Sequence, residues 1–140
     1  MSAYAGDLSP AQAWDLLAGE DRAVLVDVRT EAEWRYVGVP DVGGLGRVAA
    51  LVEWVGYPSG AVNPNFLAQL AEAGLAVGDG RPVVFLCRSG VRSIAAANTA
   101  TAAGFGPAYN IVGGFEGDLD AAAHRGGSGW RAAGLPWKQS

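Results

Sequence analysis

The sequence predicts an α/β protein with a mostly parallel sheet flanked by helices on both faces. Three observations carry this. Short apolar runs rich in β-branched residues, such as Ala23-Val24-Leu25-Val26-Asp27-Val28 and Pro82-Val83-Val84-Phe85-Leu86, read as strands buried on both faces. Segments with helix-start signals alternate with them, the pattern of a parallel sheet. The chain has 140 residues, half of them hydrophobic, which suits one domain over residues 1–140 with a real core.

The elements follow in order. Ser9 caps a first helix, with Pro10 at its first position and Gln12 completing a capping box; Ala13, Trp14, Leu16 and Leu17 give its apolar side and Gly19 ends it. Residues 23–28 form a strand closed by Asp27 and Arg29. Thr30-Glu31-Ala32-Glu33 is a second capping box, opening a short helix that Gly38-Val39-Pro40 breaks. A glycine-rich connection over 42–46 leads to an apolar stretch, 48–54, that reads as a further strand with a helical alternative. Tyr57-Pro58-Ser59-Gly60 is a loop. Asn63-Pro64 opens a helix with Phe66, Leu67, Leu70 and Ala71 on one side and Gly74 at its end. Gly78-Asp79-Gly80 is a turn. Residues 82–87 form the central strand, 88–93 a polar loop, and 94–104 an Ala-rich helix stopped by Gly104-Phe105-Gly106-Pro107. Residues 109–112 make another strand, followed by a loop over 113–118 and a short helix through Ala123. Residues 124–129 read as a mobile glycine-rich segment, 130–134 as one helical turn, and Leu135-Pro136-Trp137 as the end of the fold.

Composition excludes several classes. The net charge of −4 argues against a nucleic-acid binder working through a basic face. No apolar run approaches the roughly 20 residues that span a bilayer. Residues 1–6 carry no export signal, and one cysteine excludes an internal disulfide framework, so a reducing cytoplasm is the expected location. Gly 21 and Pro 7 stay below the level of a low-complexity chain.

The chemistry concentrates at Cys87, the one cysteine. It sits where strand becomes loop, and Arg88-Ser89-Gly90-Val91-Arg92-Ser93 follow at once. A thiol exposed there points at a helix N-terminus, a place that stabilises both a thiolate and a bound anion. A lone cysteine is more often a small core residue, but these polar neighbours need water or an anion. Gly90 permits a loop that aims several N–H groups at one point, and Arg88 and Arg92 favour an anionic substrate.

The run Val84-Phe85-Leu86-Cys87-Arg88-Ser89-Gly90-Val91-Arg92-Ser93 resembles the active-site loop of the rhodanese-like domains, the single-domain sulfurtransferases. The resemblance covers nearly the whole chain. Leu25-Val26-Asp27-Val28-Arg29 with Glu33-Trp34, then Tyr109-Asn110-Ile111-Val112-Gly113-Gly114-Phe115, and Gly134-Leu135-Pro136 near the end are similar to the family's other landmarks. Two departures stand out. Gly38-Val39-Pro40-Asp41-Val42 lacks the histidine that the family often has after the acidic helix, and the 43–60 segment is longer and more apolar than in a minimal member.

The resemblance implies a rhodanese-like fold and sulfur transfer through a Cys87 persulfide. The donor would be thiosulfate or a similar small anion, the acceptor cyanide, a thiol or a protein partner. Arg88, Ser89, Gly90, Val91, Arg92 and Ser93 would cradle the persulfide and the donor's oxygens. No metal or organic cofactor is implied, and neither nucleic acid nor membrane is expected as a partner. Asp27 and Arg29 could support the site, though an ion pair holding loops together is the plainer role. His124 as a partner for Cys87 has no support beyond being the one histidine. The five tryptophans read as packing, with Trp34, Trp54 and Trp130 as candidate walls of the site.

Three other readings compete. Phosphatases and arsenate reductases on this fold separate cysteine and arginine by five residues. Here four residues separate Cys87 from Arg92, a tighter loop fit for one sulfur atom. A persulfide carrier acting with a partner protein would need the same Cys87. A structural domain with an inert cysteine would need it unreactive.

Overall fold

The computed structural model describes residues 4–56, 59–117, 119 and 121–139. The loop positions expected at Tyr57, Pro58 and Asp118 lie outside them. The first half comprises β1 (Gly6–Leu8), α1 (Pro10–Gly19), β2 (Val24–Asp27), α2 (Glu31–Tyr36), β3 (Val39–Pro40) and β4 (Ala50–Leu51). The second comprises α3 (Phe66–Glu72), β5 (Val83–Leu86), α4 (Arg92–Ala102), β6 (Ala108–Ile111), α5 (Gly129–Ala132) and β7 (Trp137–Lys138).

Among the described residues one sheet has the order β1-β6-β5-β2-β4, and every pairing in it is parallel. A separate antiparallel ribbon joins β3 to β7. Strand alternation sends β5 side chains to two cores. Val83, Phe85 and Cys87 face α3 and α4, meeting Phe66, Leu70, Ala96, Ala97 and Ala100. Val84 and Leu86 face the other side, meeting Ala13 and Leu17 of α1 with Phe115 and Trp130. Each large apolar side chain fully buried this way stabilises the fold by about 1.5–3 kcal/mol. The alanines of α4 let that helix lie close to the sheet.

Both expected capping boxes form, Ser9 with Gln12 and Thr30 with Glu33. Elsewhere the boundaries moved. β1 was not expected; it adds an edge strand beside β6. The Ala-rich helix begins at Arg92, not Ile94, so Arg92 and Ser93 belong to its first turn. α3 begins at Phe66, because Asn63 turns its side chain to the Asn65 N–H and the Glu53 carbonyl instead of capping a helix. Phe66 and Leu70 of α3 are buried, whereas Leu67 and Ala71 face outward. The stretch 48–54 is a strand for only two residues at the sheet edge. It then runs beside β2 through Val52 N–H to Asp27 O and Trp54 N–H to Val28 O. No helix forms at 121–123, and Gly129, expected in a mobile segment, is buried at the start of α5.

Candidate active site

Cys87 follows β5, at the carboxyl end of the central strand, where parallel sheets leave a crevice. The thiol is not exposed as the sequence suggested; Cys87 is 1% accessible. The reason is the loop after it, which folds back so that the Gly90 N–H donates to Sγ at 3.0 Å. Gly90 has φ +99°, and a Cβ there would press on the Ile111 carbonyl at 3.3 Å, so the return path requires glycine. The first turn of α4 brings Ser93 Oγ to 3.2 Å from Sγ. The turn after β6 closes the other side: the Phe115 and Glu116 N–H groups donate to the carbonyls of Cys87 and Arg88 at 2.7 and 2.9 Å. A side-chain carbon on Gly114 would collide with the Cys87 carbonyl.

The two arginines differ. Arg92 donates through two nitrogens to both oxygens of Glu33, at 2.7 and 2.9 Å. Burial works to raise the Glu33 pKa, but the Arg92 hydrogen bond, the Thr30 N–H and the charges of Arg92 and Arg29 outweigh it and hold the carboxyl below its ordinary value. The Glu33 hydrogen bond, opposed by desolvation and aided by the charges of Glu33, Cys87 and Asp27, raises the Arg92 pKa. Arg88 is exposed, and no hydrogen bond or ion pair to its side chain is found among the described residues. Ser89 is half-buried and Val91 exposed.

Asp27 and Arg29 are not brought to the sulfur. Asp27 is paired in register with Leu86, so its side chain shares Leu86's face, opposite that of Cys87. Arg29 chelates the Asp27 carboxylate at 2.6–3.2 Å, donates to the Gly38 carbonyl at 2.7 Å, and stacks on Phe115 with 4.2 Å to the ring centroid. The pair is fully buried. Arg29 Nη1 has no hydrogen-bonding partner among the described residues, and the ring face is what its cation meets.

A polar chain leads from the sulfur across β6 and β1 on one face of the sheet. Ser93 Oγ donates to Asn110 Oδ1, Asn110 Nδ2 donates to Asp7 Oδ1 at 3.0 Å, and Tyr4 OH donates to the same oxygen at 2.8 Å. That bond to Asp7, with burial and the Asp7 charge behind it, raises the Tyr4 pKa. Asp7 and Asn110 are register partners on β1 and β6, and Asn110 is the partner of Phe85 on β5, which places the chain on the Cys87 face.

Beside the loop lies a cavity of about 430 Å³ that Arg88 and Arg92 line and Cys87 does not. Arg88, Arg92 and Glu33 form its polar wall, and Ala32, Val37, Val55 and Gly56 its apolar wall. Val55, Gly56 and Gly60 are the residues of the 43–60 segment that line this cavity. Trp34, Trp54 and Trp130 do not line this cavity, and neither does His124. Trp130 is a core residue whose indole N–H donates to the Pro136 carbonyl at 2.7 Å, and Trp54 packs edge-on against Phe66. Sequence reasoning gave no site role to Glu33, Asn110 or Asp7. For Asn110 a signal existed: one amide in an otherwise apolar strand needs a buried partner.

The family model of the rhodanese-like domain matches residues 9–121. The crystal structure of Rv0390 from M. tuberculosis is 59% identical, with a TM-score of 0.89 over 99% of this chain and 100% of that one. The polysulfide-sulfur transferase homodimer of Wolinella succinogenes is 28% identical, with a TM-score of 0.60 over 94% and 77%. RPA3614 of Rhodopseudomonas palustris, described as a possible tyrosine phosphatase, is 26% identical, with a TM-score of 0.57 over 95% and 84%.

Proposed function

The chain belongs to the rhodanese-like domain family, and on that premise we propose that it is a sulfurtransferase carrying sulfane sulfur on Cys87. The observation that supports this most is the cradle of Cys87. The Gly90 N–H points at Sγ from a loop with four residues between Cys87 and Arg92. A loop this short suits one sulfur atom rather than a tetrahedral phosphate.

The Cys87 thiolate attacks the sulfane sulfur of thiosulfate or a similar donor. One S–S bond forms, the donor's S–S bond breaks, and sulfite leaves with the electron pair. The terminal sulfur, about 2 Å beyond Sγ, carries the negative charge. Arg88 holds the donor's oxygens at the mouth, and Arg92, shared with Glu33, adds positive charge behind it. A nucleophilic acceptor then takes the terminal sulfur and restores the thiolate. Cyanide serves in an assay. In a cell, the apolar wall of Ala32, Val37 and Val55 suits a thiol with an organic body. No helix of the described residues is long and apolar enough to cross a membrane, and a free catalytic thiol suits the reducing cytoplasm.

Treatment with thiosulfate followed by intact mass measurement tests this. The expected result is a gain of one sulfur atom, absent in Cys87→Ser and removed by cyanide with formation of thiocyanate. No gain with thiosulfate or polysulfide would overturn it. Cys87-dependent hydrolysis of p-nitrophenyl phosphate without thiocyanate formation would replace it with the phosphatase reading. A persulfide discharged by a protein partner but not by cyanide or small thiols would make the domain a carrier.

A further inference from the structure

The polar chain behind Cys87 has a fixed direction. An ionised carboxylate only accepts hydrogen bonds, so Asp7 requires the nitrogen end of the Asn110 amide at 3.0 Å. The oxygen end of that amide therefore faces Ser93. Ser93 must give its one hydroxyl proton to it. What Ser93 turns toward Sγ at 3.2 Å is then a lone pair, which suits a thiol S–H as donor and opposes a thiolate. A thiolate could recruit Ser93 only if the hydroxyl rotated and left the oxygen of the buried Asn110 side chain without a donor.

We propose that Asn110, oriented by Asp7 on the neighbouring strand, is a positioning residue that withholds the Ser93 proton from Cys87. The free thiolate is then the one state of the sulfur that the network does not satisfy. In the thiol state S–H donates to Ser93. In the persulfide state the inner sulfur is neutral and makes no claim on the hydroxyl, so Ser93 keeps its bond to Asn110. The network thereby favours loading of the thiolate over its persistence. This rests on Cys87 being the sulfur carrier, but the protonation argument stands on geometry alone.

Other charged groups near the loop are Arg88 in the loop itself, Arg92 on α4 with Glu33 of α2, and Glu116 in the turn after β6; the Asp27–Arg29 pair at the end of β2 lies on the opposite face of the sheet. Asp7 and Tyr4 lie at the far end of the chain of bonds. All except Asp7 are unchanged in the variants below.

Cys87 is the one cysteine, so the rate of its alkylation by iodoacetamide against pH reports its ionisation directly. Asn110→Ala frees the Ser93 hydroxyl to turn to the sulfur. Its profile should move to lower pH, with alkylation at pH 7 faster by about threefold to tenfold, the range of one hydrogen bond. Asp7→Ala, at an exposed position on the edge strand, frees the amide to turn over and should move the profile the same way. Loss of the Asp7 charge alone also favours a thiolate, so both variants are repeated with Ser93→Ala, where the part due to the hydroxyl must vanish. Profiles superimposable on wild type for both variants would overturn the proposal. So would shifts of full size that persist without the Ser93 hydroxyl. Because alkylation needs no sulfur donor, its outcome is separable from that of the persulfide experiment.

Discussion

Arg92 and Glu33 form a two-pronged ion pair, at 2.7 and 2.9 Å, that ties the first turn of α4 to the capping box of α2. An anion entering the cavity therefore meets an arginine whose charge is already partly neutralised. Glu33→Gln keeps a side chain able to complete the capping box and removes one negative charge. A unit charge about 10 Å away, at an effective dielectric constant of about 20, contributes about 1.7 kcal/mol. The KM for thiosulfate should fall roughly tenfold in Glu33→Gln, measured by thiocyanate production. An unchanged or higher KM would show that the pair orients Arg92 rather than masking it.

Arg88 should separate binding from stability. Its side chain is exposed and lines the cavity without a partner among the described residues. Arg88→Ala should raise the KM for thiosulfate by about tenfold, the contribution of one charge-assisted hydrogen bond, and leave the melting temperature within about 2 °C. A large loss of melting temperature would mean that the arginine supports the loop.

The Asp27–Arg29 pair should behave the opposite way. Removing one partner of a fully buried pair strands the other charge and costs about 3–5 kcal/mol. Arg29→Met should therefore lower the melting temperature by about 10–20 °C. Where the variant is still folded, its Cys87 alkylation profile should match wild type, because the pair lies on the other face of the sheet. A shifted profile would bring the pair into the site.

Acid stability follows from Glu33 and Asp79. Both have folded pKa values below their ordinary 4.5 and 3.8. For Asp79, burial again opposes the shift, and the N–H groups of Arg81 and Ala76 and the charges of Arg81 and Arg22 produce it. A depressed carboxyl adds stability that is complete above its unfolded value and is lost as pH falls through its folded value. Urea denaturation should thus show stability declining from about pH 4.5 downward, with a shallower decline in Glu33→Gln. An equal slope in both proteins would show that Glu33 carries none of it.

The parts of this molecule that were legible in the sequence are those fixed by local chemistry. Ser9 and Thr30 with their partners three residues on mark helix starts whatever surrounds them. The apolar run before Cys87 can only be a buried strand or helix, and its length and β-branching settle that. The misplaced boundaries were set by tertiary contacts. Gly6-Asp7-Leu8 is too short for a periodic pattern and is a strand because β6 offers it an edge. α4 begins at Arg92 with no side-chain cap, since Val91 precedes it and the turn is held by the sulfur's surroundings. The loop's own return at Gly90 covers the Cys87 sulfur, but the cover over the Cys87 carbonyl comes from Gly114 and Phe115, more than 25 residues later, which no reading of the loop reveals.

The strand order has a consequence for how the protein comes into being. β5 is hydrogen-bonded on one side to β2, made about 60 residues earlier, and on the other to β6, made about 25 residues later. The turn that covers the Cys87 carbonyl arrives later still, at 113–116. During synthesis the cysteine thus emerges with half its enclosure absent, and non-local closure of this kind is slow. Its enclosure is a property of the assembled sheet, so the time course of alkylation in a refolding chain would record when β6 and the turn after it dock.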